Sequence, residues 1–158
     1  MALAGGVALT SIWVFSNLLE PALAGATTAA ADTTTRLLQA IGIGAHAHAA
    51  VVVDEVSGFA FTISPRCTGV LLAAIWFAAG LALAPSLRKS GPALALGAVA
   101  LLLLNLVRLV SLFAIGVHAP GWFDLAHRVV WELLLVAAMA GLVWHFLLRS
   151  WPARAASA

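Results

Sequence analysis

The stretch PALALGAVALLLLNLVRLVSLFAIGV, residues 92–117, decides the fold. It carries one full charge, Arg108, and one amide, Asn105, in an apolar run longer than the roughly 20 residues that take an α-helix across a hydrocarbon core about 30 Å thick. Outward from it lie three more apolar runs, at about residues 2–24, 67–84 and 125–148. Over all 158 residues, 63% are hydrophobic and 9% charged, and the mean hydropathy is +1.07. A soluble domain covers its surface with about 25% charged residues, so this composition excludes one. The sequence predicts an all-α integral membrane protein: a single transmembrane domain over 1–158 with about four spans and one extracytoplasmic loop, residues 25–66.

Basic residues in short loops and beside helix ends stay on the cytoplasmic side. That rule places Arg88 and Lys89, between the second and third spans, and Arg149 and Arg154, after the fourth, inside. The loop 25–66 and the turn 119–124 are then outside, with Trp122 and Trp151 as interfacial anchors, in a multi-pass protein of the plasma (inner) membrane. Ala22-Leu23-Ala24 has the form of a signal-peptidase site, but no basic residue precedes the apolar run, so the first span is expected to stay as an anchor. Within the loop, Asp32 to Ile41 reads as a short amphipathic helix ended by glycine. Val51 to Ile63 alternates like a small β-hairpin turning at Ser57-Gly58.

Net charge is only +2, which argues against nucleic acid as a partner and leaves the lipid bilayer as the expected one. The single cysteine excludes an intrachain disulfide and any Cys-x-x-Cys metal or redox motif, and neither metal nor cofactor is expected. That cysteine, Cys67, follows Ser64-Pro65-Arg66, which reads as the N-cap and first positions of the second span. A helix N-terminus beside Arg66 is the electropositive setting that nucleophilic cysteines occupy; the plain alternative is a buried small hydrophobe. Arg108 stands 16 residues from Pro92, about 24 Å through the core toward the outer leaflet. An uncompensated guanidinium there costs about 2.5–3.5 kcal/mol. Asn105 and Ser111 share its helix face, and Glu132 or Glu20 could pair with it. His127, after Asp124 as a candidate N-cap, opens the fourth span at the same outer boundary, with Arg128 beside it.

A thiol, a guanidinium and an imidazole from three helices at one depth suit acyl transfer. The imidazole moves the proton and the guanidinium stabilises an oxyanion. Two other readings are a non-enzymatic membrane scaffold, with Arg108 merely paired and Cys67 inert, and a haem or redox subunit using His118 and His127. His46, His48 and His145 carry no assigned role.

Arg36-Leu37-Leu38-Gln39-Ala40-Ile41-Gly42-Ile43, the hairpin-like stretch, Cys67-Thr68-Gly69, Asn105-Leu106-Val107-Arg108 and His127 together resemble the exosortase/archaeosortase family of membrane transpeptidases, over about residues 36–135. The resemblance implies Cys67, Arg108 and His127 as catalytic residues, with Arg128 adjoining the third position, and Asn105 and Glu132 as supporting residues. It implies substrates that are exported proteins bearing a C-terminal motif, a hydrophobic helix and a basic tail, cleaved and passed to an acceptor. The chain is shorter than typical members and has Thr68 where serine is common, so it is similar to one of the short subfamilies.

Overall fold

In the computed structural model, which describes residues 23–83 and 86–150, the chain begins with α1, helical over 23–40. Thr27 and Thr28 donate their hydroxyls to the Ala24 carbonyl, and Thr33 donates to Ala29; such back-bonding satisfies threonine inside a helix. The buried stripe Thr27, Ala31, Thr34 and Leu38 steps by four, three and four residues, the helical period. The helix expected over Asp32 to Ile41 is therefore longer and begins earlier, because small residues and threonines look like loop in composition. Gly42, at φ 85, ends it: Ile43 N–H donates to Leu38 O and Gly42 N–H to Gln39 O, the paired bonds of a Schellman cap. The first expected span, 2–24, falls almost wholly outside the described residues.

A three-stranded antiparallel sheet follows, in the order β1 (Ala45–His48), β2 (Val51–Asp54), β3 (Ala60–Thr62). The hairpin expected over Val51 to Ile63 forms as β2 and β3. Its turn is held by Asp54, whose carboxylate accepts from both the backbone N–H and the hydroxyl of Ser57 at 2.7 Å. β1 was not expected, since AHAH lacks the β-branched residues that mark a strand. Ala45, Val52, Asp54 and Phe61 are buried on one face, while His46, His48, Ala60 and Thr62 are exposed on the other. This unit of the chain ends at Cys67, and a second compact unit begins at Thr68.

The second unit is helical: α2 (Val70–Leu83), α3 (Leu87–His118), a 3-10 turn (Pro120–Trp122), α4 (Phe123–Leu125), a π-helical turn (Ala126–Val130) and α5 (Trp131–Ser150). Two stretches, Arg88–His118 and Pro120–Phe146, are long and apolar enough to cross a membrane. α2 is 14 residues, about 21 Å, shorter than the expected span of 67–84. Arg88 and Lys89 are not in a loop but in the first turn of α3, where Ser86 caps the helix by accepting from Lys89 N–H. Asp124 likewise is no N-cap, because helical structure already starts at Pro120. Exposed Ile75, Phe77, Leu81, Leu96, Leu103, Val107, Leu133 and Val136 put apolar surface on the outward faces, which water does not favour over such an area.

On α3 the buried positions Leu94, Gly97, Ala98, Leu101, Asn105, Arg108, Leu109 and Leu112 form one continuous stripe with helical spacing. Trp76 of α2 fits against it: its indole Nε1 donates to Leu94 O at 2.7 Å, and its ring meets Phe146 of α5 edge-on at 5.9 Å. Gly97 makes room for that ring, since a Cβ there would lie 2.5 Å from the indole. Overpacking of this kind costs about 1–3 kcal/mol, so Gly97→Val is expected to lower the thermal melting midpoint of the detergent-solubilised protein. Trp76→Phe, which keeps the ring but loses the hydrogen bond, is expected to cost about 1 kcal/mol; a Gly97→Val protein melting like the native one would contradict this packing.

Candidate functional site

Cys67 closes a 3-10 turn, Pro65–Cys67, rather than standing in the first turn of α2. The reason is local. Cys67 N–H bonds back to Ser64 O at 2.8 Å, and Gly69 then takes φ 78, a left-handed conformation that interrupts the helix before Val70. The expected N-cap role of Ser64 becomes a different one: its hydroxyl donates to the Cys67 sulfur at 3.3 Å. The half-buried thiol thus has a hydroxyl donor three residues away in the same turn, and not the end of an α-helix dipole.

Gly69 is required for a second reason. A Cβ on it would stand 2.9 Å from Cβ of Asn105, so the backbone entering α2 approaches α3 as closely as a side chain allows. Asn105 is buried at that point. Thr68, also buried, accepts the Val70 N–H through its hydroxyl at 3.3 Å, capping α2 in the manner proposed for Ser64.

Arg108 is 4% exposed, and its Nη2 donates to Glu132 Oε1 at 2.9 Å. Glu132 stands at the start of α5 with 56% of its side chain exposed. Arg108 Nε is buried with no hydrogen-bond partner among the described residues. Ser111, on the same face, turns its hydroxyl back onto the Arg108 carbonyl at 2.9 Å. Glu20, the other carboxylate considered for the pair, lies outside the described residues.

His127 sits in the π-helical turn, stacked on Phe123 with ring centroids 5.7 Å apart and planes 4° from parallel. In this turn the Trp131 N–H reaches back five residues to Ala126 O. Residues five apart therefore align where residues four apart would in an α-helix, and His127 follows the face of Glu132. Arg128 is exposed and makes a loose 3.7 Å pair with Asp124. Of the two candidates for the third position, Arg128 is thus engaged at the surface, and His127 is engaged by the Phe123 ring. The second unit holds Asn105, Arg108, His127 and Glu132, of which Arg108 and Glu132 are in direct contact, while Cys67 belongs to the first. The π turn and the Ser64 hydroxyl on sulfur were not foreseen.

No protein-family model, curated protein or solved structure matches the chain.

Removing one partner of a buried ion pair leaves the other charge uncompensated, an effect softened here because Glu132 is over half exposed. Glu132→Ala is expected to destabilise the protein by roughly 1–2 kcal/mol, whereas Arg108→Leu with Glu132→Ala recovers most of that loss, measured as a double-mutant cycle on thermal unfolding. Gly69→Ala, strained in φ and crowded by Asn105, is expected to destabilise by about 1–3 kcal/mol; the same melts check it.

Proposed function

We propose that this protein is a membrane-embedded cysteine transpeptidase or peptidase that cleaves the C-terminal sorting signal of exported proteins and passes the acyl group to an acceptor, as the resemblance to exosortases and archaeosortases implies. The observation that carries the reading is Arg108: a guanidinium buried in an apolar helix, with one nitrogen spent on Glu132 and Nε without a hydrogen-bond partner among the described residues. Intramembrane charges of this kind mark function, and an uncommitted donor suits an oxygen that gains charge during reaction.

In the proposed reaction the Cys67 sulfur, having given its proton to His127, attacks the scissile carbonyl carbon. The carbonyl oxygen takes up the displaced electron pair and is stabilised by Arg108. Collapse of the tetrahedral intermediate breaks the C–N bond, and His127 returns the proton to the departing amine. The resulting thioester is resolved by an amine, giving transfer, or by water, giving hydrolysis. Asn105 and Glu132 position the guanidinium. The site faces the extracytoplasmic side of the plasma membrane in a topology of four spans, residues 2–24 and α2 supplying the first two. The apolar outward faces of α2, α3 and α5 support the membrane setting.

A second reading, a non-enzymatic membrane scaffold, is favoured by the Arg108–Glu132 pair itself, which already neutralises the buried charge. The two separate on co-expression with a reporter library: an exported protein followed by a randomised segment, a Leu/Ala helix of about 20 residues and an Arg-rich tail. The enzyme is expected to shorten some reporters. Cys67→Ala, Arg108→Ala and His127→Ala each reduce that processing at least about 100-fold, the scale of one catalytic group, while the protein still inserts. Undiminished processing by Cys67→Ala rules the mechanism out.

A further inference from the structure

Among the described residues, the hydrogen-bond pattern of the sheet leaves the β3 edge unused. Asp54 N–H donates to Phe59 O, and Ile63 N–H to Ala50 O. With Val52 opposite Phe61, these fix which residues of β3 face β2: Phe61 turns its backbone groups inward, and Ala60 and Thr62, in the alternate pairs, turn theirs away. Both outward residues are exposed, and among the described residues nothing bonds to their backbone N–H or C=O groups. The opposite edge is partly closed by the chain itself: of the two outward-facing residues of β1, Ala45 and Ala47, Ala45 gives its N–H to Ile43 O at 2.9 Å, and its carbonyl accepts from Gln39 Nε2 at 2.8 Å. The β3 edge has no such cap among the described residues, and an uncapped edge is open to pairing.

We propose that the free edge of β3 is the docking strand for the substrate, whose extended segment beside the scissile bond adds to the sheet as a fourth strand. This rests on the peptidase reading above. The occupant follows from chemistry and position. Two N–H and C=O pairs spaced two residues apart match only an extended backbone. β3 also runs directly into the turn that carries the nucleophile: Cys67 follows Thr62 after four intervening residues, no more than about 18 Å of chain. A peptide held by its main chain on Ala60 and Thr62 is therefore delivered within a few residues of the sulfur. Recognition through the backbone leaves side-chain choice to the faces of the sheet, where Phe61 flanks one side and the small Ala60 and Thr62 the other.

The test takes reporter sequences that the full-length protein processes and measures kcat and KM on synthetic peptides of those sequences in detergent. Thr62→Pro deletes an outward N–H without removing a bond to β2, and proline is tolerated on an edge strand. It is expected to raise KM roughly tenfold with little change in kcat, the loss of one or two hydrogen bonds, whereas Thr62→Val leaves both unchanged. On the native protein, N-methylation along the peptide backbone is expected to weaken processing at every second residue. This arm needs no folded variant. Native KM for Thr62→Pro, or N-methyl effects without a two-residue period, overturns strand docking while the peptidase reading stands. A library in which no reporter is shortened in a Cys67-dependent way removes that reading, and the docking strand with it.

Discussion

The arrangement of the second unit depends on what is done with the charge of Arg108. A guanidinium placed late in an apolar helix has to be turned inward and met by a carboxylate, or the helix does not belong in a membrane. Here it is turned inward and met by Glu132. Because the positions of a helix are rigidly phased, that choice also orients Leu94, Gly97, Ala98, Leu101, Asn105, Leu109 and Leu112, all buried on the same stripe. Hydrophobicity cannot set this rotation, since almost every side of α3 is apolar. The one charge does what an amphipathic pattern does in a soluble helix.

What the sequence makes legible follows from this. Long apolar runs announce α3 and the helical stretch after Pro120, and the lone charge within α3 calls for a carboxylate, Glu132 or Glu20 by sequence and Glu132 in the structure. Val51 to Ile63 announces a hairpin through alternation and a Ser-Gly turn. Other features are invisible to the same reasoning. α1 looks like loop because its threonines are polar in composition, although Thr27, Thr28 and Thr33 are satisfied by their own helix. β1 is held by pairing with β2 and by the Gln39 side chain, not by any preference of Ala-His-Ala-His for a strand.

The site residues divide along the same line. Asn105 and Arg108 share the buried face of α3 that a period of 3.6 predicts, and Glu132 meets Arg108 there. Cys67 and His127 sit where the period is broken, by a 3-10 turn before Gly69 and by a π turn before Trp131. Simple counting from the helix ends misassigns both of their surroundings. It cannot choose between His127 and Arg128, which a regular helix would rotate by about 100° from one another. In the π turn Arg128 pairs loosely with Asp124, while His127 stacks on Phe123.

That turn makes chain length itself an element of the design. A π turn differs from an α turn by a single extra residue. Excising one residue of 128–130 would let the segment rewind as ordinary helix, leaving α5 seated while everything N-terminal to the cut swings around the axis. The imidazole of His127 would then be carried off its bearing with its own side chain intact.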